Sequence, residues 1–210
     1  MPLVSLPGGQ LRDEIRNPLF DSYDLLAGAS PAGLNVTFFS SLTTPAGAPK
    51  TLDQTNLTQA NSLPTATSFR VQGYAVDAQS YYEANRFCLP TIQDHSSIQL
   101  NVGEKQYSQL PWVYIGGRLS ANQAISRSSG TTEAAGVVVE RNIQHYGQEA
   151  VAPVVLTGKH VIDILPIQQF RAVWLCQGLS AAEITNATPA AGTLIRFYYS
   201  LKGLLRRAVQ

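Results

Sequence analysis

Three histidines, His95, His145 and His160, are the first residues to weigh for chemistry, because imidazole serves both as metal ligand and as general base. None stands at the i,i+2 or i,i+4 spacing that sets two ligands on one metal. His160 precedes an apolar, β-branched run and reads as a residue at a sheet end. Asp94-His95-Ser96 holds the residue types of a hydrolase triad, yet neighbours in sequence cannot take up triad geometry, whose members come from separate elements. There is no Gly-x-Ser-x-Gly elbow, and Gly116-Gly117 lacks the rest of a phosphate loop. Carboxylates are scattered at Glu104, Glu133, Glu140, Glu149, Asp163 and Glu183, and no pair among them is singled out for glycoside hydrolysis. The residues nominate no catalytic, cofactor-binding or metal site.

Two further sets could bind rather than react. Tyr81, Tyr82, Tyr107, Trp112, Tyr114, Tyr146, Trp174, Tyr198 and Tyr199 could line a sugar-binding groove, but aromatic residues on strands more commonly fill a core or an interface. Basic residues gather toward the ends, with Arg12 and Arg16 in one and Lys202, Arg206 and Arg207 in the other. They are candidate contacts to a packaged nucleic acid or an internal membrane. Plain solubility of exposed ends is the favoured reading, since a dedicated nucleic-acid arm carries a denser run. Cys88 and Cys176 sit among apolar neighbours and read as buried free thiols.

The elements that would position these side chains are short strands. Phe69, Val71, Gly73 and Ala75 alternate with Arg70, Gln72 and Tyr74, the period of two that marks a strand with one buried side. A long polar approach, Lys50 to Ser68, delivers that strand, and Pro64 holds Leu63 extended. Further strands are expected at 34–40, 98–102, 107–115 (interrupted by Pro111), 137–146, 150–156, 161–165, 170–175 and 194–201. One helical turn is expected at 80–86 and another at 120–125, with loops at 116–136 and 180–192. Phe69, Val71, Ile98, Leu100, Trp174, Ile195 and Phe197 are the expected core. Residues 1–33 read as an irregular N-terminal arm, because Pro2, Pro7, Gly8, Gly9 and Pro18 interrupt it. A short amphipathic turn is expected within it, with Leu11 and Ile15 spaced by four, and another short helical piece at Asp21 to Leu26, ended by Gly28. Its apolar side chains would need a neighbouring subunit to cover them.

Many short strands with long connections, and no sustained helical period, argue for an all-β fold: an antiparallel β-sandwich. Asn-Gly and Asp-Gly are absent, which favours long crossovers of jelly-roll topology over a meander of tight hairpins. The expected organisation is an arm at 1–33, the sandwich at 34–201 and a short basic tail at 202–210. Charged residues make up only 14% of the chain and apolar ones 44%, a neutral surface of the kind that suits burial against other subunits. A formal net charge of +1 provides no whole-molecule attraction to nucleic acid. The start has no basic-apolar-small order of a signal peptide, and no apolar run approaches the ~20 residues that span a bilayer. The expectation is a chain made in a cytoplasm that stays soluble until it assembles.

Thr37-Phe38-Phe39, then Lys50-Thr51-Leu52-Asp53-Gln54-Thr55-Asn56-Leu57, then Ala60-Asn61-Ser62-Leu63-Pro64 resembles a pattern in structural proteins of bacteriophages, where a strand leads through a Thr-Asn segment to a Leu-Pro stop. Gly103-Glu104-Lys105-Gln106-Tyr107 followed by Leu110-Pro111 is similar to such proteins as well. The resemblance covers roughly residues 36–115 and implies a jelly-roll virion protein. It implies a capsid subunit that packs as a homo-oligomer with other capsid proteins into an icosahedral shell assembled in the host cytoplasm, and it brings no catalytic residue and no cofactor. The alternatives are a carbohydrate-binding jelly roll, such as a receptor-binding head, and a small jelly-roll enzyme. A metal-dependent cupin would need a His-x-His pair with a following Glu, and that pair is missing.

Overall fold

The computed structural model of the chain describes residues 3–5, 11–79, 88–115, 154–156, 158 and 161–208. The turns expected at 80–86 and 120–125, the loop at 116–136, the strand at 137–146 and the first part of the strand at 150–156 lie outside the described residues.

Two antiparallel sheets pack face to face around one core. The first holds β1 (Leu3–Ser5), β2 (Leu11–Arg16), β3 (Leu19–Leu26), β5 (Thr67–Gln79), β8 (Val154–Val155), β9 (Ile162–Ile164) and β11 (Leu194–Ala208). The second holds β4 (Asn35–Phe38), β6 (Ser96–Val102), β7 (Lys105–Pro111) and β10 (Phe170–Cys176), in the spatial order β4-β10-β6-β7. In the first sheet β2 and β3 lie end to end along one side of β11, while β5 lies along the other. Strands β9 and β8 then lie end to end along the far side of β5. The chain therefore changes sheet at each link from β3 to β4, β5, β6, then from β7 to β8, and from β9 to β10 to β11; β1 pairs with the next strand, β2, and β6 pairs with β7 through a tight hairpin. That hairpin turns on Gly103-Glu104, with Gly103 at φ +60° supplying the left-handed first position that such a two-residue loop requires.

Strict alternation explains the inner faces. In β6 and β10 every second residue is buried, and Ile98, Leu100, Ala172 and Trp174 meet Ile195, Phe197 and Tyr199 of β11 across the sandwich. All seven expected core residues are buried. Rings carry the centre: Trp174 lies 4.4 Å from Phe197, Trp112 lies 5.4 Å from Phe197, and Tyr199 sits between Phe38 and Tyr74 at 5.9 and 6.0 Å. The Trp174 indole N–H is satisfied by Ser96 Oγ at 2.8 Å, whose hydroxyl in turn donates to the Ile92 carbonyl at 2.6 Å.

Three sequence expectations need correction. Residues 11–26 are strands of the sheet rather than an irregular arm, and Leu19 and Leu25 are buried in the chain's own core instead of awaiting a neighbour. Leu11 and Ile15 lie two pleats apart, so their spacing of four satisfies a strand as well as a helical turn. Pro18 does interrupt the segment, but as the break between β2 and β3. The supposed basic tail is likewise sheet, since β11 runs on to Ala208 beside β2 and β5.

The second correction concerns β5. Between Lys202↔Gly73 and Gly203↔Val71 the register shifts, leaving Gln72 as an extra residue. This bulge reverses the alternation: Phe69 and Val71 face inward before it, and Tyr74 and Val76 after it, where simple alternation had placed Tyr74 outside. Gly203 makes the bulge feasible, because a Cβ there would stand 2.0 Å from the Arg70 carbonyl oxygen. Third, α3 (Ala181–Ala187) occupies a segment read as loop, α1 (Cys88–Asp94) one with no expected element, and the single turn α2 (Trp112–Ile115) takes the end of the strand expected at 107–115.

Candidate functional site

Helix α3 brings Ser, His and a carboxylate together, but not in the order that catalysis needs. Ser180 caps the helix, and its hydroxyl and backbone N–H both donate to Glu183 Oε2, at 2.6 and 2.8 Å. The other carboxylate oxygen of Glu183 meets His95 Nε2 at 3.1 Å, just past the end of α1. Glu183 thus stands between Ser180 and His95, so the imidazole has no contact through which to take the serine proton. The Ser180 hydroxyl and N–H, followed by His95, hold the Glu183 carboxyl down to about 2, far from the range useful to a proton-transfer group at neutral pH. The cluster acts as a staple between α3 and the end of α1.

The other candidates separate in space or in role. Ser96 is committed to the core through Trp174, and Asp163 forms an exposed two-bond pair with Arg70 at 2.8 and 3.1 Å. Glu104 is exposed on the β6–β7 turn. No group of three His, Cys, Asp or Glu side chains converges among the described residues. Cys88 and Cys176 are free, buried thiols raised by burial. Of the aromatic set, Trp112, Trp174 and Tyr199 are core, Tyr198 is half-buried and Tyr107 is exposed. Arg206 is engaged by Glu14 at 2.8 Å on the outer face of the sheet. His145, His160, Glu133, Glu140, Glu149, Tyr81, Tyr82, Tyr146 and Gly116-Gly117 lie outside the described residues.

The densest polar arrangement fastens the long connection between β4 and β5, and sequence reasoning did not find it. Asp21, fully buried on β3, accepts the Phe39 N–H at 2.6 Å on one carboxylate oxygen and Lys50 Nζ at 2.7 Å on the other. Phe39 stands at φ +68°, an unusual conformation for a bulky residue, with its ring buried against Phe170 and Tyr199. Asn61, also left-handed at φ +61°, donates its N–H to the Phe39 carbonyl and accepts the Phe170 N–H. On the outer face Arg196 grips Asp24 with two bonds, at 2.7 and 3.1 Å, and reaches Asp53 at 3.0 Å. Asp24 holds the Arg196 guanidinium above its ordinary value. The Thr51 hydroxyl, then Arg196, draw the Asp53 carboxyl down. Asn56 completes the cover by pairing with the Phe20 N–H and the Pro18 carbonyl, at 2.9 and 2.6 Å. Both backbone groups of Phe20, at the free edge of β3, are thereby taken up by the chain itself.

The end of the sandwich beneath this connection is the most distinctive surface. The turn Leu165-Pro166-Ile167-Gln168 projects two large apolar side chains, Leu165 at 58% and Ile167 at 69% exposure. Ile167 holds φ +56°, and its N–H donates to the Leu63 carbonyl at 3.2 Å. Beside the ridge lies a groove of about 250 Å³ with a mixed lining, in which Leu57, Leu63 and Leu205 alternate with polar side chains such as Asn17 and Thr67, and Arg207 is its charged residue.

No family model, no curated protein and no solved structure matches this chain.

Proposed function

We propose that this chain is a jelly-roll capsid subunit, a structural protein that packs with copies of itself and with other capsid proteins into a viral shell of the bacteriophage kind. The observation that carries the proposal is the strand order. Counting β2 with β3 and β8 with β9 as single broken strands, and setting aside the three-residue β1 that adds to the edge of β2, eight strands form two sheets of four, and among these eight the chain changes sheet at every link except the β6–β7 hairpin. That alternation is the expected pattern of a jelly roll, an architecture used by viral capsids, lectins and cupins. Fold alone does not choose among these. The surface supports the shell role: charge is sparse, and apolar side chains project from one end of the sandwich.

The carbohydrate-binding alternative draws less support, because Trp112, Trp174 and Tyr199 fill the core instead of lining a groove. Electron microscopy of the purified chain, over rising concentration and with salt varied, tests the proposal. Closed shells or regular sheets are expected. Discrete monomers that bind glycans through Tyr107 would replace the shell by the lectin reading.

A further inference from the structure

We infer that the Leu165/Ile167 ridge and the groove beside it are the two halves of one self-association surface, whose occupant is a second copy of this chain. The choice of partner rests on the shell reading above; the surface itself rests on four observations. The ridge and groove share a wall, because Leu63 lines the groove and its carbonyl holds the Ile167 N–H. A two-fold axis near that wall would set each ridge in the other copy's groove, the self-complementary arrangement of a closed dimer. The volume of about 250 Å³ falls below the ~300–1,000 Å³ of small-molecule sites, and its lining of leucines interspersed with polar groups suits one or two side chains of a protein surface.

Charge is complementary across the same contact. Glu104 is exposed beside the ridge, as the Gly103 N–H donates to the Gln169 carbonyl at 2.7 Å, and the groove carries Arg207. A ridge entering a partner's groove would bring the carboxylate toward the guanidinium. Finally, Ile167 is β-branched and exposed at φ +56°, where glycine would relieve the strain. Keeping a branched side chain there is understandable when that side chain has a surface to enter. Each contact is small against the ~1,200–2,000 Å² of a stable interface, so the association is weak and depends on concentration and on repetition in a shell.

Sedimentation velocity of the full chain across a concentration series is the test, with thermal melts as control. The wild-type chain should dimerise reversibly, and the double variant Leu165→Ser/Ile167→Gly should raise the dissociation constant at least tenfold without lowering the melting temperature. Glu104→Arg alone should weaken the dimer, and Glu104→Arg with Arg207→Glu should restore it. A wild-type chain that stays monomeric at millimolar concentration overturns the inference, as does a folded Leu165→Ser/Ile167→Gly variant that dimerises like wild type. Should Arg207→Glu unfold the chain, the ridge variant still decides. Particles that form equally well from the ridge variant would remove this surface and leave the shell role standing. A ridge-dependent dimer that never builds particles would keep the surface and remove the shell.

Discussion

Replacing Asp21 by Asn should destabilise the chain more than almost any other single polar change, because the residue is a hub with two buried clients. Its side chain is 1% exposed and that of Lys50 only 7%, so the ion pair is desolvated on both sides. Asp21→Asn leaves the Lys50 ammonium buried without its counter-charge, a change that costs about 3–5 kcal/mol for buried pairs. The amide can still accept the Phe39 N–H through its oxygen. Asp21→Ala loses that as well and should cost a further ~1–3 kcal/mol for the stranded donor. Lys50→Met should cost a comparable amount, since it leaves the Asp21 carboxylate buried with only the Phe39 N–H to answer its charge. Combining Lys50→Met with Asp21→Asn should recover part of the loss, because no buried charge then lacks a partner. Urea melts of the four proteins at neutral pH measure these differences, and limited proteolysis within residues 41–66 reports whether the connection loosens first. A loss below about 1 kcal/mol for Asp21→Asn, or strict additivity in the double variant, would show that Lys50 finds water or another partner and that the buried pair does not hold the connection.

Gly203→Ala should cost at the upper end of the ~1–3 kcal/mol typical of overpacking, because the new methyl meets the Arg70 backbone carbonyl at 2.0 Å and a strand must shift; a melt within 0.5 kcal/mol of wild type, about the scatter of neutral surface changes, would refute the bulge geometry. Deleting residues 1–26 removes Leu19 and Leu25 from the core, about 3–6 kcal/mol at ~1.5–3 each, and strips a whole side of β11. Against a total stability of ~5–15 kcal/mol the truncated chain should not fold, and a normal thermal melt from it would contradict the strand assignment. Glu183→Gln should lower the melting temperature above about pH 4.5 and have no effect near pH 2. The carboxyl is depressed on folding, so its stabilisation is present above the unfolded value of 4.5 and fades as pH falls toward about 2. An equal effect at both ends of that window would assign the role to shape instead of charge.

Local periodicity was enough to read the strands of the second sheet and the first half of β11 from the chain alone. In Ile98-Leu100-Val102, Phe170-Ala172-Trp174 and Ile195-Phe197-Tyr199 the period of two has no competing interpretation, and those side chains are the core. The N-terminal strands were illegible for the same reason turned round. Leu11 and Ile15 are an even number of residues apart and also one helical turn apart, so spacing cannot choose between strand and helix. The choice was made by β11, whose Leu205 lies opposite Ile15 across 190 residues of chain. The Ser180-x-x-Glu183 box was visible as a helix start, but it lay inside a run of small residues that read as loop.

What tertiary structure alone decided is everything that depends on a distant partner. The face of Tyr74 follows from an extra residue at Gln72, and that bulge exists because Gly203 lets another strand approach. Nothing in the sequence sets Asp21 apart from Asp24, and it becomes a buried anchor only when Lys50 and Phe39 close on it. The ridge at Ile167 and the groove at Leu63 belong to separate segments that the β9–β10 turn brings side by side. Side-chain period is a property of neighbours along the chain and survives in the sequence. Pairing, burial of charge and surface shape are properties of neighbours across it, and only the folded chain supplies those.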